Sequence, residues 1–513
     1  MATMVKSFAL QGIDGYVVDI QTKILEGNPS ISVIGMGDQA IKEAAERIAS
    51  AIDESGYSMP KKKIIINLAP GDRKKRGAHF DLSMAICLLQ QSEDIAAKDI
   101  EQYGFIGELS LDGSLRECNG VLPMIMAAKN HGIKKVIIPK GNYEEAKLVH
   151  NIEILAFDSL RDVILFLEGK KEYNPSNIMI SPMNKKEGQQ LDFADVKGQN
   201  DLVQAVVLAA AGGHNMLMIG EPGCGKTMIS SRIPTILPNM TEEECLEVTK
   251  IYSISGLLRK KNGMITERPF RAPHHNVSLN ALIGGGMNAL PGEVSLAHNG
   301  VLFLDELAEF SKKTLDSLRQ PIENKKVSIS RVNGTNTYPA NFMFVSAMNP
   351  CPCGYYPSSR CHCTDYEIIK YRSKISGPIM DRIDIQKEVK PVSFFDIAES
   401  SPAPSSEELR EKVKQARDIQ KERYRNDEGI YCNAQMTTAM IQRYCKLDDK
   451  TTKYLKATCE EYGYSARVIH KILRMARTSA DLNNENNIRY EDILNVLSYR
   501  DLDQSNSQLM VVK

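Results

Sequence analysis

A glycine-rich loop between an apolar run and a helix pattern constrains this chain more than any other feature. Residues 216–219 are apolar, and the next segment is a complete G-x-x-x-x-G-K-T pattern. Glycines let successive backbone N–H groups face a phosphate, the lysine reaches its outer oxygens, and the threonine hydroxyl can bind Mg²⁺. A helix pattern begins at Met228, so the order strand, loop, helix predicts a phosphate-binding loop. Its residues are Gly220, Glu221, Pro222, Gly223, Cys224, Gly225, Lys226 and Thr227.

A second buried-strand pattern ends in two carboxylates. Residues 301–304 are apolar without alternation, and Asp305 and Glu306 follow them directly. In a parallel α/β sheet, ligands bind at the carboxyl ends of the strands, so we expect Asp305 beside Thr227, holding Mg²⁺ through water. We expect Glu306 to orient and deprotonate the attacking water.

The order of these motifs resembles that of a known class of ATPase. A further apolar strand, residues 342–348, delivers Asn349 to the same edge, where an amide suits a sensor of the γ-phosphate. Together with residues 377–382 and a late helical region, this order resembles an AAA+ ATPase. Three segments further resemble the magnesium-chelatase-like ATPases of the YifB/ComM competence-protein family: RPFRAPHH at 268–275, AMNPCPCG at 347–354 and NLAPGD at 67–72. The resemblance covers nearly the whole chain and implies ATP and Mg²⁺ as cofactors.

The resemblance also implies roles for residues outside the loop and the strand. Arg382 matches the arginine finger that stabilises charge in a neighbouring subunit's site, and Arg372 is the alternative. Arg467, in the first turn of a helix pattern, matches the sensor 2 arginine of a helical lid. Val196 and Gly198 lie in a segment that resembles the part of AAA+ modules that wraps the adenine. A finger supplied in trans implies a homo-oligomeric ring, which we expect to be hexameric.

Length and composition exclude several classes of protein. At 513 residues the chain is too long for a single hydrophobic core. Lys plus Arg and Asp plus Glu both number 64, so global charge gives no argument for nucleic acid. No apolar run is long enough to span a membrane, and the N-terminus lacks a signal-peptide layout. We therefore expect a soluble cytoplasmic protein, without a membrane partner, whose eleven cysteines are reduced.

The predicted fold class is multidomain, with α+β and α/β parts. Short strands mixed with helix patterns near the N-terminus predict an α+β domain, and the polar, proline-punctuated stretch that follows predicts a linker. The expected order is an α+β domain over 1–168, a linker over 169–190, an AAA+ α/β domain over 191–395, a helical lid over 396–503 and a disordered tail over 504–513.

The N-terminal domain resembles the proteolytic domain of Lon proteases, on residues 75–85, 105–113 and 132–139. That family uses a Ser-Lys dyad, and the matching positions here hold His79 and Leu122. We therefore expect no peptidase activity. His79 has no identified partner, which favours a structural role, and the domain is expected to serve as a platform or interaction module.

Four cysteines form a compact pattern in the segment after Asn349. Two C-x-C pairs stand seven residues apart, with Gly354 between them to permit a turn. Thiolates packed this closely suit tetrahedral coordination of a structural Zn²⁺. Redox-labile thiols and free buried thiols are the alternatives. The residues are Cys351, Cys353, Cys361 and Cys363.

A long excursion separates the phosphate-binding loop from the carboxylate strand. It contains His274 and His275, whose adjacency makes them a poor metal pair because neighbouring side chains do not share a face. Residues 284–286 are three glycines, which imply a flexible or tightly turned loop. By resemblance to the chelatase branch, this excursion is expected to contact a substrate in the ring pore or a neighbouring subunit.

Residues 325–338 alternate around Asn333-Gly334, which predicts a β-hairpin. Its place just before the sensor strand matches the pore hairpin of the chelatase and helicase branches. Lys325, Lys326 and Arg331 on such a hairpin would suit contacts with nucleic-acid phosphates, or would be ordinary surface charges.

Three functional hypotheses follow. The first is a ring-forming ATPase that remodels branched or single-stranded DNA, by branch migration or helicase-type translocation in recombination or natural transformation. The second is a protein-remodelling ATPase whose Lon-like domain binds a client. The third is a magnesium-chelatase motor subunit, against which the Lon-like domain argues.

Overall fold

In the computed structural model, the chain divides into two compact units. The first comprises residues 1–186, 245–265 and 328–338, and the second comprises 187–244, 266–327 and 339–513. The predicted multidomain fold class, with α/β and α+β parts, is confirmed. Most of the predicted linker, the boundary before the lid and the predicted tail lie outside the described residues, which are 3–97, 99–175, 191–258, 263–286, 289–331, 334–392, 403–427 and 429–502.

The first unit is built on a mixed seven-stranded sheet. Its strand order is β3-β4-β2-β1-β5-β8-β9. β1 pairs antiparallel with β2, with Phe8 opposite Val17, whereas β5, β8 and β9 continue the sheet in parallel. A short ladder of β6 and β7 stands apart. The strands are β1 (Thr3–Gln11), β2 (Asp14–Leu25), β3 (Ser30–Ile34), β4 (Lys63–Ala69), β5 (Tyr103–Phe105), β6 (Glu108–Leu109), β7 (Leu115–Arg116), β8 (Lys135–Pro139) and β9 (Glu153–Phe157).

Helices cover this sheet and supply its core. The middle of α3 is apolar on nearly every side, and it is buried from Asp81 to Leu89 because it packs on β1 and β2. α4 packs on the same pair of strands. The helices are α1 (Gln39–Lys42), α2 (Ala44–Glu54), α3 (Asp81–Gln91), α4 (Val121–Asn130), α5 (Tyr143–Ala146) and α6 (Leu160–Leu167).

The beginning of the predicted linker packs on the first unit. The ring of Tyr173 lies 5.5 Å from that of Phe157 and 6.3 Å from that of Phe166, and its hydroxyl accepts a hydrogen bond from the Ala156 N–H. Tyr173 lies shortly after α6, which ends at Leu167. Tyr173, within the predicted linker, therefore packs against the first unit.

The second unit contains a five-stranded sheet in which every pair of neighbours is parallel. Its order is β11-β14-β17-β10-β18, so β10, which carries the phosphate-binding loop, lies between β17 and β18. A two-stranded ladder of β12 with β13 accompanies it. A further ladder pairs β15 with β16, and most of its residues, 328–338, belong to the first unit. The strands are β10 (Met216–Gly220), β11 (Phe270–Arg271), β12 (Gly284–Gly285), β13 (Leu290–Pro291), β14 (Val301–Leu304), β15 (Lys326–Arg331), β16 (Gly334–Pro339), β17 (Met343–Met348) and β18 (Ile385–Val389).

Helices complete the second unit, except that most of α9 belongs to the first unit, which contains residues 245–265. Ser405 and Glu408 form a capping box at the start of α16. No helix among the described residues is long and apolar enough to cross a membrane. The helices are α7 (Asn200–Gly212), α8 (Lys226–Ile236), α9 (Glu242–Ile254), α10 (Leu279–Ile283), α11 (Glu293–Leu296), α12 (Lys312–Ser317), α13 (Arg319–Asn324), α14 (Asp365–Arg372), α15 (Gly377–Met380), α16 (Ser406–Arg423), α17 (Thr438–Tyr444), α18 (Asp449–Tyr462), α19 (Ala466–Leu482) and α20 (Tyr490–Leu497).

Asn215, just before β10, forms hydrogen bonds with residues at the starts of the neighbouring strands β17 and β18. Its side-chain amide donates to the Arg382 carbonyl at 2.8 Å and accepts from the Phe344 N–H at 3.0 Å. Its own N–H donates to the Asp384 carboxylate at 3.1 Å. One buried residue thus sets the alignment of β10, β17 and β18 at the edge opposite the site, which fixes where their carboxyl ends emerge.

Candidate nucleotide-binding site

The phosphate-binding loop wraps around the start of α8. All five residues of β10 are buried, and α8 begins at Lys226. Gly223 and Gly225 have φ values of 81° and 86°, a left-handed conformation that residues with a Cβ adopt at a cost. These two turns let the loop close over the helix N-terminus, where unpaired backbone N–H groups attract an anion.

The ammonium group of Lys226 lies inside this loop. Its Nζ donates to the carbonyl oxygens of Gly220 at 2.6 Å and Glu221 at 3.0 Å. It also lies 3.4 Å from the Asn349 Oδ1, at the end of β17. The structure therefore brings together the lysine and the amide that the sequence placed after two separate strands.

Thr227 and Asp305 meet at the same edge. The threonine hydroxyl donates to the Asp305 Oδ2 at 2.8 Å, although β10 and β14 are separated by β17. Parallel strands bring their carboxyl ends to one edge, so a hydroxyl and a carboxylate from distant parts of the chain become neighbours. Both offer oxygen donors, which Mg²⁺ requires, and the pair fits a Mg²⁺ site.

Glu306 lies next to this pair in an unusual backbone conformation. Its φ is 51°, and its N–H donates to the Asp305 Oδ1 at 2.9 Å. A left-handed conformation at a residue with a long side chain is uncommon and is typical of functional sites. The carboxylate is about half exposed, at 53%.

His275 contacts this carboxylate, and sequence reasoning missed the contact. The His275 Nδ1 lies 3.1 Å from the Glu306 Oε2, and its ring packs on those of His274 and Phe310. The contact depends on strand pairing: β11 ends at Arg271, opposite Leu302 of the parallel strand β14, and His275 and Glu306 both lie in the segments that follow these paired strands. The predicted pore-facing excursion therefore touches the candidate base.

The segment predicted to wrap the adenine lies beside the phosphate-binding loop. Val196 is buried, and Gly198 turns the chain with a φ of 70°. The next residue, Gln199, donates through Nε2 to the Lys390 carbonyl at 2.9 Å and lies 3.4 Å from the Cys224 carbonyl. Gln199, which the sequence did not single out, joins this segment to the loop.

A cavity of about 240 Å³ opens next to this region. It is lined by the end of β10, by the end of β18 and the residues that follow it, and by part of the cysteine-rich segment. Burial raises the pKa of Cys224, so this thiol stays protonated at neutral pH. The lining residues are Gly220, Glu221, Tyr356, Pro357, Ser358, Glu388, Val389, Lys390 and Pro391.

Arg382 and Arg467 are both held at the end of α15. The Arg382 guanidinium donates to the Pro378 carbonyl at 2.7 Å and forms an ion pair with Glu323. Arg467, whose side chain is 78% exposed, lies 3.3 Å from the neighbouring Asp381. Although the two candidate arginines are distant in the sequence, Arg467 contacts Asp381, the residue that directly precedes Arg382.

Arg372 contacts the segment that follows Asn349. Its Nε donates to the Pro350 carbonyl at 3.2 Å, and its guanidinium lies over the Tyr356 ring at 5.5 Å from the centroid. Burial lowers its pKa. These contacts hold the cysteine-rich segment and favour Arg382 over Arg372 as the finger.

The four predicted cysteines come together. Their sulfur atoms all lie within 4.8 Å of one another. Backbone N–H groups of His362 and Tyr355 stabilise the thiolate of Cys353 and lower its pKa. Cys351, Cys353, Cys361 and Cys363 therefore form a donor set that fits a thiophilic metal ion.

The predicted hairpin exists, but its three cations differ. Lys325 ends α13 with a φ of 56°, is half-buried, and has a pKa that burial lowers. Lys326 and Arg331 on β15 are exposed. The turn at Asn333 lies outside the described residues.

The outer part of this hairpin belongs to the first unit. A Cβ at Gly12 would lie 3.0 Å from the Thr337 carbonyl, and Tyr338 is buried, which raises its pKa to about 12. The second half of α9 also packs there, because the Gly120 N–H donates to the Ser253 carbonyl and Lys250 lies 3.8 Å from Asp14. The hairpin is therefore packed against the β1–β2 connection.

The positions that match the Lon dyad hold structural residues. His79 is buried, its Nε2 donates to the Phe8 carbonyl at 2.8 Å, and burial lowers its pKa to about 4, so it is neutral at physiological pH. Leu122 is fully buried in α4.

The fold and the site together define a P-loop ATPase of the AAA+ class. Three family profiles match, described as "Magnesium chelatase, subunit ChlI" over residues 192–397, "Subunit ChlI of Mg-chelatase" over 20–142 and "Magnesium chelatase, subunit ChlI C-terminal" over 403–500. They cover both units of the chain.

Relatives that match nearly the whole chain show which family it belongs to. The competence protein ComM of Haemophilus influenzae is 39% identical over 501 residues, which are 97% of this chain and 97% of that protein. The YifB protein of Escherichia coli K12 is 38% identical over 507 residues, 98% of this chain and 97% of its own length. The chain therefore belongs to the YifB/ComM family of magnesium-chelatase-like AAA+ ATPases. It is also 27% identical over 186 residues to a Lon protease of Campylobacter jejuni, a match that covers 31% of this chain and 23% of the protease.

Proposed function

We propose that this protein hydrolyses ATP in a homo-oligomeric, hexameric ring and uses the energy to remodel DNA, by branch migration or helicase-type translocation. One observation carries the ATPase: Lys226, Thr227, Asp305, Glu306 and Asn349 converge at the carboxyl ends of β10, β14 and β17. The relative from Haemophilus influenzae is named a competence protein, which supports DNA as the substrate. We place the activity in the cytoplasm, in recombination or natural transformation.

The residues divide the work of hydrolysis. The backbone of residues 220–225 and the Lys226 ammonium hold the phosphates, and Val196 and Gly198 border the base. Thr227 and Asp305 would hold Mg²⁺, which would neutralise charge on the phosphate oxygens. Glu306 takes a proton from the attacking water, and Asn349 positions that water.

The arginines act between subunits and through the lid. Arg382 stabilises charge in the neighbouring site, because its contacts within the chain lie with Glu323 and Pro378 rather than with the phosphate-binding loop. Arg467 is exposed and free to move from Asp381 to a nucleotide. Hydrolysis would then require assembly.

In this proposal, Lys326 and Arg331 contact the DNA. Both are exposed on β15, whereas Lys325 is half-buried and burial lowers its pKa, so we do not include it among the DNA contacts. Two cations on one strand can follow the phosphates of a single strand of nucleic acid. The measurement is the ATP hydrolysis rate with forked, duplex and single-stranded DNA at two salt concentrations. Stimulation by forked DNA that fades with salt supports the proposal, and a rate that no DNA changes removes DNA as the substrate.

A protein client is the second candidate. β3 is an edge strand of the first sheet, and beside its end Ile34 and Met36 are 52% and 54% exposed. An edge strand with exposed apolar side chains can pair with an extended polypeptide. The positions that match the Lon dyad hold the buried residues His79 and Leu122, so we expect no peptidase activity. In this proposal the domain serves as a platform that binds the client. Stimulation of hydrolysis by an unfolded protein, and not by DNA, would favour this candidate.

We include a structural Zn²⁺ in the four-cysteine cluster among the cofactors of this protein, beside ATP and Mg²⁺.

A further inference from the structure

We propose that the four-cysteine cluster binds one Zn²⁺, and that this metal holds the segment after Asn349 against the phosphate-binding loop, so that metal loading sets the affinity for ATP. We call residues 350–364 the cysteine segment. The inference rests on the proposed nucleotide site and adds a second metal to it.

The four sulfur atoms lie close enough together to share one metal ion. The Cys351 Sγ is 3.3 Å from that of Cys353 and 3.7 Å from that of Cys361, and the sulfurs of Cys353 and Cys361 are 3.6 Å apart. Zn–S bonds of ~2.3 Å in a tetrahedron give S···S edges of ~3.8 Å. A disulfide would bring two sulfurs to ~2.05 Å, so this spacing suits a shared metal better than a covalent pair.

Backbone donors support the cluster. The Tyr356 N–H points to the Cys351 Sγ at 3.4 Å, and Cys351 itself is fully buried. Hydrogen bonds from N–H groups to sulfur stabilise thiolates, which are the form that binds zinc. Binding releases the thiol protons to water and leaves four S–Zn bonds.

The cysteine segment needs such a cross-link because it contains no helix or strand. Only isolated turns lie within it, such as Gly354 N–H to the Cys351 carbonyl at 3.0 Å and Cys361 N–H to the Ser358 carbonyl at 3.0 Å. It joins β17 to α14, whose N-cap is Thr364. A metal that ties its two ends closes the loop and removes most of its conformational freedom.

The part of the segment between the two cysteine pairs contacts the phosphate-binding loop. Gly354 has a φ of 88°, and a Cβ there would lie 2.9 Å from the Pro222 Cδ. Arg360 forms an ion pair with Glu221, and its guanidinium also covers the Tyr355 ring at 4.6 Å from the centroid. Two successive residues of the loop are thus held from the same side.

This contact has a consequence for ATP. Glu221 and Pro222 precede the glycines whose N–H groups would face the phosphates, so fixing them fixes the direction of those donors. The ion pair alone is weak, because the Arg360 side chain is 63% exposed. The metal, by ordering the segment, lets this weak pair and the Gly354 contact act together. Without the metal, the phosphate-binding loop loses more conformational entropy when it becomes ordered around a nucleotide.

The test measures the metal and the nucleotide separately on the full-length protein. Zinc per chain is determined by elemental analysis, and Co²⁺ replacement is followed by the absorption bands of tetrahedral thiolate coordination. Affinity is measured with a fluorescent ATP analogue before zinc removal, after removal and after zinc is restored. We expect one zinc per chain and a reversible loss of affinity of about tenfold, or ~1.4 kcal/mol.

Two variants and a control separate the steps. Cys353→Ser should lose zinc and affinity together, whereas Arg360→Ala should keep zinc and lose part of the affinity. Cys459→Ser is the control, because this half-buried cysteine lies on α18, outside the cluster, and it should change neither. If Cys353→Ser does not fold, the removal and return of zinc on the native protein still decide.

Each result has one meaning. Absence of metal, or bound iron, overturns the zinc site. One zinc per chain with an affinity that does not change on its removal overturns the coupling. A zinc-loaded native chain that binds no ATP overturns the proposed function while the metal site stands.

Discussion

The Nδ1 of His275 lies 3.1 Å from the Oε2 of Glu306, so a residue of the excursion between the two nucleotide motifs holds the candidate base. We expect this contact to restrain Glu306 away from the attacking water until a substrate moves the excursion. His275→Ala should therefore raise ATP hydrolysis without DNA severalfold and reduce the stimulation by DNA. Steady-state hydrolysis rates with and without forked DNA check this. A fall in both rates would instead make His275 a positioning residue for catalysis.

Glu306→Gln should retain nucleotide binding and lose turnover. The amide keeps the size of the side chain and removes the base, which is worth about 10²-fold to 10⁴-fold. Glu309→Gln is the matched control, because this carboxylate is exposed and pairs with Lys374 at 3.4 Å. Affinity for a fluorescent ATP analogue and the hydrolysis rate are measured on both variants. Turnover by Glu306→Gln at the native rate would remove Glu306 from its role.

Arg382→Ala should bind ATP and hydrolyse little of it, because an arginine finger is worth about 10³-fold or more. Mixing it with Glu306→Gln subunits tests action in trans. A mixed ring contains sites where an intact Glu306 faces an intact Arg382, so part of the hydrolysis should return. If mixing restores none, the finger lies elsewhere, and Arg372→Ala is the next variant.

Lys326→Ala combined with Arg331→Ala should weaken single-stranded DNA binding and flatten its dependence on salt. Each lost phosphate contact changes the slope of log affinity against log salt by about 0.7 on a single strand, so two contacts predict about 1.4. Lys456→Ala on α18 is the control, because its side chain is 78% exposed and distant in sequence from the hairpin. An unchanged slope would show that DNA binds elsewhere.

Asp384 predicts a pH dependence of stability. Burial alone would raise the pKa of this carboxyl, but the nearby His214 ring, whose Nδ1 is 3.6 Å away, the charge of Lys471 and the hydrogen bond from the Asn215 N–H lower it to about 2. Because the folded value is below the unfolded value of ~3.9, the carboxylate stabilises the fold fully above that pH and loses this effect as pH falls towards 2. The contribution is about 2–3 kcal/mol at neutral pH and about half of that at pH 3.

Asp384→Asn should therefore lower the thermal midpoint more at pH 7 than at pH 3. Asp418→Asn, at an exposed position of α16, should lower it at neither. Calorimetry of the three proteins at both pH values gives the comparison. An equal loss at the two pH values would assign the effect of Asp384→Asn to shape rather than charge.

The sequence predicted the parts of the site that are continuous motifs. The phosphate-binding loop, the strand ending at Asp305 and the strand before Asn349 are local patterns, and parallel-sheet geometry alone predicts that their ends meet. The four cysteines were also visible, because their spacing is short. Their contact with Pro222 and Glu221 was not, since it depends on how the segment turns after β17.

What the sequence did not reveal depends on register and packing between distant segments. His275 reaches Glu306 only because β11 lies beside β14 in one register. Lys325 and Lys326 are neighbours of equal charge, yet the end of α13 buries the first and exposes the second. The polarity of residues 169–175 indicated a linker, whereas the single ring of Tyr173 attaches them to the core.

The most direct test of the central claim is conversion of a synthetic four-way DNA junction by the full-length protein with ATP and Mg²⁺. We predict that the native protein separates the junction into its duplex products, and that Glu306→Gln binds the junction without converting it. ATP hydrolysis by the native protein with no conversion of any branched DNA would contradict DNA remodelling as the work of this ATPase.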